Sequence, residues 1–345
     1  MKNYIPVRGG KGKFSFLLDR RSIIFSLFFL LLTFILILFS IGIGDFFIAP
    51  IDVLKVLLGM GAPEHNLVVQ TFRLPRVLTA MLVGACLAVS GAILQGMVRN
   101  PLASPDLLGI TGGASVAAVA FITVFPAASI RWLPVSALLG AGLVIVLIYF
   151  LAWKQGVSTM RLVLIGVGIH SCMSALTTLL LVVSPVYLTS KAMVWLAGSV
   201  YGTNWNDVLT LLPWALVFIP LAVLLGRSIN VQQLGDDVAQ GVGHHVERQR
   251  AVLLLVCVAL AGAAVAIGGA IGFVALLAPQ IARKLVGPSF GALLPMAALI
   301  GSFIVVAGDL IARTALSPLD LPVGIFTSAI GAPFFMYLLY KYRNQ

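Results

Sequence analysis

The stretch from Arg250 to Arg283, RAVLLLVCVALAGAAVAIGGAIGFVALLAPQIAR, has no formally charged side chain in the 32 residues between its two arginines. A bilayer core about 30 Å thick is crossed by around 20 apolar residues rising about 1.5 Å each. One straight helix over this stretch would run far past a single bilayer thickness. Gly268, Gly269 and Gly272 cluster in its middle, where glycine lowers helix propensity and lets the backbone turn. The stretch therefore reads as two membrane helices, 251 to 268 and 271 to 286, meeting at a glycine break.

Outward from it the same pattern recurs. Apolar stretches bounded by charge, proline or glycine fall near 23 to 43, 77 to 97, 107 to 125, 134 to 153, 161 to 183, 207 to 226, 292 to 312 and 323 to 340. With 60% hydrophobic and 10% charged residues, the chain lies far from the roughly 45–50% apolar and about 25% charged of soluble domains. The alternation of a membrane β-barrel is absent. The fold class expected is an all-α integral membrane protein of about ten transmembrane helices, the permease domain 23–345, preceded by a basic tail 1–22. The run from Ile23 is too long for a secretory signal and lacks a small-x-small cleavage site, so it is kept as the first span.

Charge orients the spans. With the N-terminus inside, ten spans leave both termini cytoplasmic, and 16 of the 22 Lys and Arg residues fall on that side. Only Lys55, Arg73, Arg76, Arg131, Lys191 and Arg313 fall outside, as the positive-inside rule expects. The net charge of +11 thereby needs no nucleic acid. The basic tail reads as a cytoplasmic segment suited to anionic membrane lipid.

Several chemistries are missing. No GxxxxGK[ST] phosphate loop occurs; GGKGKF at Gly9 to Phe14 has the wrong spacing, so no ATP hydrolysis of the P-loop kind is expected of this chain. Cys86, Cys172 and Cys257 sit singly in apolar runs and read as packing residues. No metal site is read: the adjacent His244 and His245 look solvated. Only His170 and Asp309 lie clearly within spans. Such groups are costly in lipid and are kept for transport or pairing. His170 reads as a hydrogen-bonded packing residue or a proton relay; Asp309 can reach water or pair with Arg313 at i+4. Small-residue stretches at Gly84 to Gly91, Gly109 to Ser115 and Gly262 to Gly272 suit close helix approach or a substrate path. SGAI at Ser90 echoes GGAI at Gly268, the kind of echo an inverted repeat leaves.

The longest polar connection, 227–250, reads RSINVQQLGDDVAQGVGHHVERQR. Gly235 before Asp236 and Asp237, then Gly241, Val242 and Gly243 ahead of Val246, predict two short helices joined by a glycine turn. A long connection of this kind is functional or a solvated linker.

That loop is followed by GGAIGFVALLAPQIARKLVG and GDLIARTALSPLDLPVGIFTSAIGAPFF, and preceded, from Arg73 to Ala114, by RLPRVLTAMLVGACLAVSGAILQGMVRNPLASPDLLGITGGA. With these blocks the chain resembles the iron-siderophore and cobalamin ABC permease family, FecCD-type transmembrane subunits of the bacterial cytoplasmic membrane. The resemblance implies a binding-protein-dependent importer, for an iron(III)-siderophore or else cobalamin or haem. It also implies a second permease chain, a cytoplasmic ATPase dimer that binds the ATP, and an extracytoplasmic substrate-binding protein. Arg73, Arg76 and Arg313 match the arginines that dock that protein. Gly235, Asp236, Asp237, Gly241, Val242, Gly243 and Val246 fall in the loop that couples to the ATPase. Specificity would then reside mainly in the binding protein, with this chain a gated conduit. Gln280 stands where many relatives have His, and GDD replaces a commoner pair containing Glu. A stand-alone secondary carrier driven by an ion gradient is the competing reading.

Overall fold

The computed structural model describes residues 4–8, 15–44, 46–152, 159–316 and 319–342. Of the basic positions used above, Lys2, Lys11, Lys13, Lys154 and Arg343 lie outside the described residues, as does the GGKGKF segment.

Helices follow one another almost without interruption: α1 Arg20–Gly42, α2 Pro50–Leu57, α3 Pro63–Asn66, α4 Leu74–Val98, α5 Ile110–Val124, α6 Leu133–Ala152 and α7 Thr159–Val183. Then come α8 Val186–Leu196, α9 Trp205–Gln232, α10 Asp236–Gly241, α11 Val246–Gly268, α12 Val274–Val286, α13 Phe290–Thr314 and α14 Val323–Tyr342. A π-helical stretch, Leu67–Arg73, joins α3 to α4. The basic tail carries one antiparallel hairpin of β1 Tyr4–Arg8 and β2 Ser15–Asp19. Asp19 then caps α1, accepting from the Arg21 amide and the Ser22 hydroxyl.

Every expected span has a helix at its place. Among the described residues eight are long and apolar enough to cross a membrane. The other two are short: α5 has 15 residues and α12 has 13. Both are cut at their N-terminal side by backbone that cannot continue a helix. A tight turn, Pro105–Leu108, and Gly109 at φ +70° precede α5. Gly269 and Phe273, both at positive φ, precede α12. The glycine break thus falls where the sequence places it. The carbonyl freed at Gly268 accepts from the Ser199 amide at 2.9 Å, so a buried polar group is not left bare in the apolar interior.

The centre of the bundle is α4, buried along nearly its whole length and packed on α9, α11, α12 and α13. Its closest neighbour is α13: an added Cβ on Gly84 would collide with the Gly301 carbonyl, and one on Gly301 with the Gly84 carbonyl. Small residues at this crossing let the two backbones touch. Against α11, the Ser90 hydroxyl donates to the Cys257 carbonyl at 2.9 Å. Cys86 and Cys257 are buried packing residues as expected, but Cys172 is exposed on α7. The sequence echo has no local counterpart, since Ser90–Ile93 lies inside α4 whereas Gly268–Ile271 forms the α11–α12 break.

Candidate functional sites at the two ends of the bundle

At about 1.5 Å per residue, the 25 residues of α4 span about 37 Å, so its termini mark opposite ends of the bundle. The candidate residues divide cleanly between them.

At the N-terminal end of α4, Arg73 is buried. One of its guanidinium nitrogens donates to the carbonyls of Ile41 at 2.8 Å and Gly42 at 3.0 Å, the other to Phe46 at 2.9 Å. Those α1 carbonyls end a helix and have no intrahelical donor, and a cation there also meets the negative end of the helix dipole. Arg76 forms a fork with Asp309: Nε lies 3.0 and 3.2 Å from the two carboxylate oxygens and Nη2 2.9 Å from the first. The same Nη2 reaches Asp320 at 3.0 Å, and the guanidinium lies over the Tyr201 ring. Arg313 donates to the carbonyl and hydroxyl of Ser40. The pairing of Asp309 with Arg313 is therefore replaced by one with Arg76, which approaches from the facing helix with a planar fork. All three arginines, matched in the sequence to binding-protein docking, tie the ends of α1, α4 and α13 together.

At the other end, α9 runs on through Gln232 and α11 begins at Val246. The expected pair of short helices is thus a single one, α10, because the second continues into α11. Gly235 at φ +106° turns the chain into α10. Asp236 opens that helix: one oxygen lies 3.3 Å from Nη2 of Arg99, and the other accepts from Arg250 at 2.9 Å. Asp237, Gly241, Val242 and Gly243 are exposed, whereas Val246 is buried and anchors the start of α11. Leu234, Val238 and Val242 are 63%, 52% and 68% exposed. Leu234 and Val238 were missed in the sequence, although apolar residues in an otherwise polar loop are the signal for them. His244 is held by Ser228 at 3.0 Å rather than solvated.

Two polar clusters lie nearby. Buried Gln280 donates to Gln95 at 2.8 Å and to the Pro101 carbonyl at 2.7 Å, tying α12 to the end of α4. His170 faces Gly112 and lies near Asp106 in the turn before α5. Burial pushes the Asp106 carboxyl up from the ordinary carboxylate range, while the Thr111 hydroxyl and His170 pull it back. Among the described residues no group of three or more His, Cys, Asp or Glu side chains could hold a metal.

The model of the FecCD transport family matches residues 31–341. The chain is 48% identical, over 95% of its length and 97% of the relative's, to the "Probable siderophore transport system permease protein YfhA" of Bacillus subtilis (strain 168). It is 51% identical to the achromobactin transport system permease protein CbrC of Dickeya dadantii (strain 3937), over 91% of this chain and 90% of that one. Among solved structures, an inward-facing metal-chelate type ABC transporter superposes with a TM-score of 0.83 at 32% identity, covering 92% of this chain and 98% of that one.

Proposed function

We propose, on the premise that this chain belongs to the FecCD transport family and is a membrane permease subunit of an ABC importer, that it carries an iron(III)-siderophore across the bacterial cytoplasmic membrane. The relatives named for siderophore and achromobactin transport support that cargo. Its ten-span arrangement has both termini inside, so α10 faces the cytoplasm and the arginine clamp faces outward. ATP is bound by a separate ATPase dimer, and this chain holds no cofactor of its own.

The observation that carries the coupling is α10: a six-residue helix beyond the ends of the spans, with Val238 on it and Leu234 and Val242 beside it exposed. Apolar side chains exposed outside the membrane on a short, anchored element suit burial in a partner's groove. The ATPase docks there. Along α7, Ser171, Ser174 and Thr178 are exposed at i, i+3 and i+7, a mildly polar stripe that suits a hydrated passage shared with a second permease chain better than lipid. At the outer rim, Arg76 is the arginine with an exposed partner, Asp320, that a binding-protein carboxylate can displace. Arg73 and Arg313 hold the rim in shape for it.

The test is extraction from the native membrane in mild detergent at low salt, with mass spectrometry of what co-purifies. A P-loop ATPase in stoichiometric amount, together with ATP-dependent uptake of a ferric siderophore into proteoliposomes, is the expected outcome. A chain that emerges alone and takes up substrate on an ion gradient sinks the reading; uptake of cobalamin alone corrects the cargo.

A further inference from the structure

Arg99 ends α4 with φ 56° and ψ 32°, in the left-handed region. A Cβ crowds the neighbouring carbonyl in that conformation, and glycine is the usual occupant of this place after a helix. Among the described residues, Phe273 alone shares a positive φ without being glycine. The backbone thus favours glycine at position 99, and the arginine is explained by what its side chain reaches.

Its guanidinium reaches Asp236, the first residue of α10, at 3.3 Å. The other oxygen of the same carboxylate accepts from Arg250 at 2.9 Å, and Arg250 is buried in the first turns of α11. The Gly235 turn lies against this pair: a Cβ there would stand 3.6 Å from Nη1 of Arg99, an ordinary contact. Glycine is required there by its φ of +106° rather than by lack of room. A six-residue helix cannot sustain itself, and within α10 Ala239 is the buried residue. The orientation of α10 therefore depends strongly on Asp236.

We propose that Arg99 is a positioning residue for α10: with Arg250 it grips Asp236 from two sides, so that a displacement of α10 is passed to the end of α4 and the start of α11 together. The inference rests on the reading of α10 as the surface a partner moves. Through α4, which runs to the Arg76–Asp309 clamp, the grip gives one carboxylate a rigid connection to the opposite end of the bundle.

The test uses Arg99→Gly, which suits the backbone while deleting the side chain, and Arg99→Lys, which keeps the charge. In the full chain in lipid nanodiscs, amides of residues 236–241 in Arg99→Gly are expected to exchange about fivefold faster, the size of a partly exposed ion pair. The interior of α4 stays unchanged, and Arg99→Lys returns most of the protection. In the complex with the co-purified ATPase, ATP and vanadate are expected to shift exchange at α10, at residues 95–99 and at residues 246–250 of the wild type. In Arg99→Gly the shift at α10 persists and no longer reaches 95–99. Unchanged exchange of α10 in Arg99→Gly overturns the inference, as does a nucleotide-driven shift that still reaches α4. If no ATPase co-purifies, the reading of α10 as its dock fails instead, and exchange in the chain alone still decides the grip.

Discussion

Arg73 and Arg76 look alike in sequence and differ in what their loss exposes. Arg73 satisfies three backbone carbonyls from a buried position. Its replacement by alanine strands helix-end acceptors, at a cost of about 2–3 kcal/mol. Arg73→Ala is expected to lower the midpoint of thermal unfolding in detergent before any docking defect is seen. The Arg76 fork makes a second comparison. Asp309 is 3% exposed and Asp320 32% exposed at the side chain, so Asp309→Ala leaves a nearly buried guanidinium without its main partner. Asp320→Ala removes only a half-wet contact, worth less than about 1 kcal/mol. Thermal unfolding of the two variants should separate them clearly; equal losses would contradict the fork geometry.

At the scale of elements, two glycines of similar sequence context have opposite expectations. Gly84 lies where α4 touches α13, and any Cβ meets the Gly301 carbonyl. Gly84→Ala is therefore expected to destabilise by roughly 1–3 kcal/mol or to misassemble the bundle. Gly142 in α6 has nothing within 4 Å of a Cβ, so Gly142→Ala should be neutral or stabilising by up to about 1 kcal/mol through helix propensity. Melting curves of the pair check both. Around α10, Gly241 and Gly243 also have open space, but only Gly243 has a positive φ, +81°. A bulky residue at 241 fits the isolated chain and should leave its stability intact. Its cost is expected in the complex, as ATP turnover uncoupled from uptake in reconstituted vesicles.

For the whole molecule, exposure of the native cysteines reports on assembly. Cys172 is exposed on α7, whereas Cys86 and Cys257 are buried at the contacts of α4. With α7 facing a hydrated passage, maleimide should label Cys172 alone in the folded chain and label all three after unfolding. If α7 lines a passage shared with a second permease chain, the rate at Cys172 should change when the ATPase is trapped with ATP and vanadate. A rate independent of nucleotide would place α7 against lipid.

Membrane class, the helix positions and the break at Gly268 to Gly272 were legible in the residues, because burial in lipid demands long uncharged runs and glycine is where such a run turns. The polar connection 227–250 was legible as a segment outside the spans with a short helix of its own, because little else in the chain is both long and polar. The partners of Arg73, Arg76 and Arg313 were not. They lie on α1, α13 and the connections after each, up to 273 residues away in the chain, and no local pattern encodes which helix faces which. The split of the expected helix pair into α10 and the start of α11, the exposure of Leu234 and Val238, and the two-sided grip on Asp236 were likewise decided by packing. Composition and periodicity determine that a helix forms and how deep it sits, while the direction of each polar side chain is set by the neighbours that tertiary structure brings to it.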